Sequence, residues 1–228
     1  LAGNGSYKIP ILLPTNVQHA VEAVYEAFDI ADQYETPVLV LADGMIGQMM
    51  EPVDFSLLPP KRTDLPEKSW RLTGTNEKGY RTEMLLTYGR PLTEVTWEFE
   101  NKTMPKILAN EVRYNSVDVE DADIVIVAYG TASRMAKQAI IDSTSNLKIG
   151  LLTPYTAWPF PEAAFDAINP NCKAILCAEI NTIGQMIDDV RIAVRGRWPV
   201  FHVGNSRTGP MTQMEILEKI DEFKEAEL

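Results

Sequence analysis

Tyr129, Gly130, Thr131, Ala132 and Ser133 stand where an apolar run gives way to helical spacing. Backbone N–H groups at such a helix start, with the hydroxyls beside them, can receive an anion. The turn lacks the further glycines of a dinucleotide loop and the lysine of a P-loop, so N-capping by Thr131 or Ser133 is the simpler account. Glu179 and Asn181 close the apolar run that begins at Ala174, with Gly184 and Gln185 just beyond. They fall at the rim where α/β sheets gather ligands or partner subunits, although a rim carboxylate commonly caps a helix or meets solvent. Asp43 and Gly44 follow the run from Val38 to Leu41 in the corresponding place. His19 falls off the apolar stripe of its helix, which predicts exposure, and His202 lies inside a short strand beside Phe201. Neither has an acid or nucleophile at a spacing that makes it a base, so structural roles are expected for both. Arg191, Arg195 and Arg197 suit the carbonyl end of a helix. Cys172 and Cys177 are too few to complete a zinc or iron-sulfur site, and burial of Cys177 as a small hydrophobe is expected.

The elements that must carry these residues are read from periodicity. An extended segment from Tyr7 to Leu13 precedes a helix opened by the capping-box spacing of Thr15 and Gln18. Val17, Ala20, Val21, Val24, Phe28 and Ala31 predict its buried stripe, and Pro37 then precedes a second strand. This is a βαβ unit whose two strands would leave a sheet face and both edges bare, which implies that something is missing in front of it. Between Glu51 and about Asp121 the pattern lapses into a linker, with Thr93 to Leu108 a helix that Pro105 weakens. From Ile124 strands and helices alternate through Val200 to Val203. Thr182 with Gln185 and Thr212 with Glu215 supply two more capping boxes, and Ile183, Met186, Ile187, Val190 and Val194 a stripe. The expectation is a four-stranded α/β domain.

The formal net charge of -11 disfavours nucleic acid, whose affinity comes from lysine and arginine displacing counterions. No apolar run approaches the ~20 residues needed to cross a bilayer. Partners are expected to be proteins or small molecules, and unpaired cysteines suit the reducing cytoplasm.

The run from Pro37 through Ala42, Asp43, Gly44, Met45, Ile46, Gly47, Gln48, Met49, Met50 and Glu51 to Pro52 resembles alpha subunits of the 2-oxoacid:ferredoxin oxidoreductases, nearest to the branched-chain, 2-oxoisovalerate type. Further matches are Trp70 with Leu72, Thr73 and Gly74, then Asn110 to Tyr114, Val127 to Thr131, and Trp158 to Pro161. The resemblance implies an α/β chain in which residues 1–56 are the incomplete end of a thiamine-pyrimidine-binding domain. Residues 57–114 form a partly helical linker, and residues 115–228 a transketolase C-terminal-like parallel-sheet domain. The implied reaction is oxidative decarboxylation of a 2-oxo acid to an acyl-CoA with electrons passed to ferredoxin. Thiamine diphosphate and magnesium would be shared with or held by a beta subunit, and iron-sulfur clusters would sit only on partner subunits. The family's activating glutamate and its arginine for the substrate carboxylate would lie ahead of Leu1, so no catalytic residue and no metal ligand is carried over, and the chain is expected to be inactive alone. The resemblance puts Asp43, Gly44, Gln48 and Met49 near the cofactor or a subunit interface, and Thr131, Glu179, Asn181 and Gln185 on the rim of the second domain. Three departures stand out: both Thr182 and Ile183 separate Asn181 from Gly184, Thr153 replaces an arginine before a proline, and the glycine-rich segment reads Gly204 to Pro210. The rival expectations are a non-catalytic subunit-assembly module and a small-anion-binding module using the Gly130 to Ser133 turn.

Overall fold

The computed structural model of the chain describes residues 8–68, 91–204 and 211–225. Trp70, Leu72, Thr73, Gly74 and the stretch 205–210 lie outside the described residues.

Strand β1 (Ile11–Leu12), helix α1 (Val17–Tyr34) and strand β2 (Leu39–Val40) form the expected βαβ unit, with β1 and β2 parallel. The helix start differs from expectation. Asn16 Oδ1 accepts the His19 N–H at 2.7 Å, so the asparagine after Thr15 is the cap. Gln18 Oε1 instead accepts the Asp54 N–H at 2.8 Å and ties the following segment down. The buried face differs too. Ala23, Ala27, Ile30 and Tyr34 pack with Leu12, Ile107 and Trp158, whereas Val24 and Phe28 are 50% and 69% exposed. The helix carries two apolar stripes, and the one with small residues is the one that can approach the sheet closely.

Strand β6 (Thr156–Trp158) pairs antiparallel with β1, giving the order β2-β1-β6. Of the two edges expected to be bare, β1 is therefore covered and β2 remains open among the described residues.

The second sheet contains β3 (Tyr114–Val117), β4 (Ile124–Ala128), β5 (Ile149–Pro154), β7 (Ala174–Glu179) and β8 (Val200–Gly204), in the order β3-β5-β4-β7-β8. The last four are parallel, and β3 is an antiparallel fifth strand that the pattern did not predict. Strands β4 and β7 are buried throughout and read as continuous apolar runs because helices cover both faces. Helices α4 (Gly130–Asp142) and α6 (Gln213–Glu225) cover one face, and α5 (Met186–Val194) with the 3-10 turn Glu162–Ala167 covers the other. The Thr212–Glu215 box forms as expected, with the Thr212 N–H donating to Glu215 Oε2 at 2.9 Å.

Between the sheets, α2 (Leu92–Glu98), a π-helical stretch Phe99–Thr103 and α3 (Met104–Asn110) follow without a break. The wide π turn immediately ahead of Pro105 accommodates its ring and its missing N–H. Glu111, fully buried after α3, receives Tyr34 Oη–H at 2.9 Å, both Arg62 amino groups at 2.9 and 3.1 Å, and Arg113 at 3.2 Å. Arg113 also pairs with Glu26 of α1 at 2.6 Å and donates its backbone N–H to Thr156 at 3.1 Å, so this network joins the two sheets. Among the described residues no helix is long and apolar enough to cross a membrane.

Candidate functional site

The residues that follow β2, β4 and β7 meet at one cleft, and Asp43, where the loop after β2 begins, stands on its rim. Asp43 Oδ1 accepts the N–H groups of Met45 and Ile46 at 3.0 and 3.1 Å, which shapes its own turn. The same carboxylate accepts the Thr131 N–H and Oγ–H, both at 2.7 Å. Helix α4 is thus capped by a residue 88 positions away. Tyr129 occupies the N-cap position without a side-chain bond, and Ser133 donates to Gly130 O at 2.7 Å, so neither Thr131 nor Ser133 is the cap that was expected. Gly130, at φ +56°, is required here: a Cβ would stand 2.5 Å from Asp43 Oδ2. The place an external anion could have taken at this helix start is filled by the chain's own carboxylate.

Glu51 makes the matching contact at the far end of the loop. Its Oε2 accepts the Val17 N–H at the start of α1 at 3.0 Å, and its Oε1 pairs with Arg134 of α4 at 2.6 Å. Those two contacts, the backbone N–H first, hold its carboxyl below the usual carboxylate range. Arg134 also lies 3.2 Å from Met49 Sδ. Gly44 and Gln48 lie on the exposed side of the turn.

Glu179, at the end of β7, is fully buried. It accepts the N–H groups of Gln185, Met186 and Ile187 at 2.9 to 3.1 Å and the Asn181 amide at 2.9 Å. It is the cap of α5, in place of the expected Thr182–Gln185 pair. The additional residue in this segment is absorbed by looping outward, with Ile183 82% exposed and off the helix instead of on its buried stripe. Asn181 and Gln185 remain beside Glu179 despite that insertion. Burial alone would raise the Glu179 carboxyl, but donation from Met186, Gln185, Asn181 and Ile187 outweighs it and holds the group below the ordinary glutamate value. A depressed folded value stabilises the protein above the unfolded value and loses that contribution as pH falls. Glu179→Gln is therefore expected to cost about 1.5 to 3 kcal/mol at neutral pH, the range for hydrogen bonds to a charged group. The difference from wild type should shrink in urea titrations as pH falls from about 6 towards 3. A gap independent of pH would show that the charge is not what the cap uses.

A cavity of ≈260 Å³ is lined by Asp43, Tyr129, Ile180, Asn181 and Gln185. One of ≈250 Å³ shares Tyr129 and Gln185 and adds Leu13, Leu41, Phe160 and Asp189. Burial, then the negative charges of Glu179 and Asp43, raise the Tyr129 hydroxyl, so it remains a neutral hydrogen-bond donor. Neither cavity is lined by lysine or arginine, and among the described residues no group of three or more histidine, cysteine, aspartate or glutamate side chains could hold a metal ion. The arrangement suits a neutral polar group, and it does not fit a metal-bound diphosphate.

His19 is half-buried, contrary to the expected exposure, with its Nδ1 3.3 Å from the Thr15 N–H and its ring against Tyr155. Burial lowers its pKa. The His202 ring is wedged against Gly184 and Gly204. Arg197 donates to Val194 O and Ala193 O at the end of α5, the capping role expected of that cluster. Both cysteines are buried, and burial raises both thiols.

Comparison with known proteins adds an independent line. A family model described as pyruvate flavodoxin/ferredoxin oxidoreductase, thiamine diP-binding, matches residues 4–119, and pyruvate:ferredoxin oxidoreductase core domain II matches residues 122–215. Ketoisovalerate oxidoreductase subunit VorB of Methanothermobacter marburgensis is 36% identical over 227 residues, covering 97% of this chain and 62% of the relative. The 2-oxoglutarate synthase subunit KorA of the same organism is 26% identical over 246 residues, covering 95% and 60%. The chain therefore spans about three fifths of the length of these curated relatives. Among solved structures, 2-oxoglutarate:ferredoxin oxidoreductase from Magnetococcus marinus matches with TM-score 0.66 at 19% identity, over 96% of this chain and 43% of that one. A split-gene transketolase, solved as an inactive beta4 tetramer, matches with TM-score 0.51 at 13% identity, over 94% and 56%. At those identities the two structures establish the fold alone. They match the expected order, a thiamine-domain portion followed by a transketolase-like parallel-sheet domain. With one domain model spanning half of its residues and a second following in order, the chain belongs to the subunits of the 2-oxoacid:ferredoxin oxidoreductases.

Proposed function

We propose that the chain is alpha-subunit sequence of the branched-chain type, serving the oxidation of a 2-oxo acid such as 2-oxoisovalerate to an acyl-CoA with electrons delivered to ferredoxin. The observation that carries the substrate class is the 36% identity to a ketoisovalerate oxidoreductase subunit, against 26% to a 2-oxoglutarate synthase subunit of the same organism. The chain works in a complex with a beta subunit and the other oxidoreductase subunits. Thiamine diphosphate and magnesium are held with or by those subunits, and the iron-sulfur clusters are theirs.

When bound, thiamine diphosphate supplies the electron sink that decarboxylation of a 2-oxo acid requires. The residues lining the two cavities at Tyr129 do not fit its metal-bound diphosphate, so their contribution is of another kind. Asp43 and Glu51 tie both ends of loop 43–50 to α4, and Gly44, Gln48 and Met49 on that loop face the cofactor or a neighbouring subunit. Tyr129, Asn181 and Gln185 give the rim neutral hydrogen-bonding groups in place of charge.

A second reading, a module for subunit assembly, is favoured by the open β2 edge and by exposed Val24, Phe28, Phe55 and Leu57. Both readings predict association, and turnover separates them. The small-anion module is disfavoured because Asp43 already occupies the turn it needs.

Dye-linked assays of the assembled complex test the substrate class. The branched-chain reading expects 2-oxoisovalerate to exceed 2-oxoglutarate in kcat/KM by about a hundredfold, since the wrong acid would bury an unpaired carboxylate. A preference for 2-oxoglutarate would refute it.

A further inference from the structure

We propose that Thr131 and Arg134, on the first turn of α4, are positioning residues that hold loop 43–50 in the geometry the complex uses. The inference rests on the reading of that loop as a cofactor-proximal or interface element.

The second domain grips the loop at both ends. Thr131 takes Asp43 at the entry through two bonds of 2.7 Å, and Arg134 takes Glu51 at the exit at 2.6 Å. Between those anchors the contacts are few. The backbone N–H groups of Gly47, Gln48 and Met49 bond to carbonyls within the turn, Met49 Sδ lies 3.2 Å from Arg134, and Met50 is 98% exposed. Asp43 is also committed to the Met45 and Ile46 N–H groups, so releasing its hold on α4 loosens the turn and the domain junction together. The Arg134–Glu51 pair is partly exposed and contributes less, because solvent screens it. The Thr131–Asp43 contact is part-buried and charge-assisted, which makes it the stronger anchor.

This arrangement makes a residue far from the loop in sequence decide where the loop sits. A displacement of about 1 Å in a group that positions a substrate can cost on the order of a hundredfold in rate, so the effect belongs in kcat rather than in subunit affinity. A contact that merely stabilised the fold would lower the yield of folded complex and leave the turnover of each assembled complex unchanged.

Thr131→Val removes the hydroxyl donor with little change of shape, and Thr131→Ser restores it. Limited peroxide oxidation of the chain, read by peptide mass spectrometry, follows the loop directly. Met49 is expected to oxidise about tenfold faster in the valine variant, the factor for losing one charge-assisted hydrogen bond. Met50 is already open and should not change, while buried Met186 and Met211 should stay protected and so report that the fold is intact. In the assembled complex kcat should fall about tenfold with KM little changed, and serine should recover both readouts. Unchanged Met49 oxidation in the valine variant would overturn the anchor. Faster oxidation with undiminished kcat would overturn the positioning role. Failure of the function reading looks different, since the wild-type complex would turn over no 2-oxo acid while the Met49 readout would still decide whether α4 holds the loop.

Discussion

Glu111→Ala is expected to lower stability by about 3 kcal/mol or more, the scale for removing one partner of a buried ion pair. Glu111 is fully buried and receives Tyr34, Arg62 and Arg113 together. Removing its carboxylate leaves two guanidinium groups and a phenol around an empty space. The arginine side chains are 28% and 26% exposed and can recover some water, which puts the expectation at the lower end of the usual 3 to 5 kcal/mol. Arg62→Ala should cost less, because Arg113 and Tyr34 still satisfy the carboxylate. For a chain of this size the Glu111 change corresponds to a Tm lower by roughly 10 °C. Urea denaturation of the two variants at neutral pH checks both the size and the order. A Glu111→Ala cost under about 1 kcal/mol, the scale of a surface pair, would mean that the network does not join the sheets.

The elements of the second domain were legible where burial was complete. Strands β4 and β7 are covered on both faces, so their short unbroken apolar runs read as central parallel strands. Strand β3 was not legible, because Tyr114, Asn115 and Ser116 sit on an exposed edge where no apolar pattern is required. The same limit explains α1. Two apolar stripes run along it, and only the partner surfaces, Ile107 from α3 and Trp158 from β6, decide which one is buried.

The two rim carboxylates were read from their place after apolar runs and given too little structure. Asp43 and Glu179 were recognised as carboxylates at the carboxyl ends of strands, and both lie beside the cleft. What spacing could not reveal is that each serves as a helix cap, one from 88 residues away and one across an outward loop. Gly130 was a usable signal for the first of these, since a glycine in a turn that tolerates ordinary caps suggests that something must approach closely. The capping boxes at Thr15 and Thr182 failed because better acceptor oxygens stood nearby, Asn16 in one case and the buried Glu179 carboxylate in the other.

We propose that this chain supplies framework and a positioned loop to a 2-oxoacid oxidoreductase whose cofactor site depends on other subunits. A diphosphate bound through magnesium needs oxygen ligands and positive charge, and the cavity beside Asp43 offers neutral amides, a phenol and a carboxylate already committed to backbone N–H groups. The decisive measurement takes the 228-residue chain. It is titrated with thiamine diphosphate and magnesium by calorimetry, then assayed for viologen reduction with 2-oxoisovalerate and CoA, first alone and then assembled with its partner subunits. The expected result is no detectable binding and no turnover by the chain alone, with both present in the assembled complex. Micromolar cofactor binding or dye reduction by the chain alone would contradict the claim.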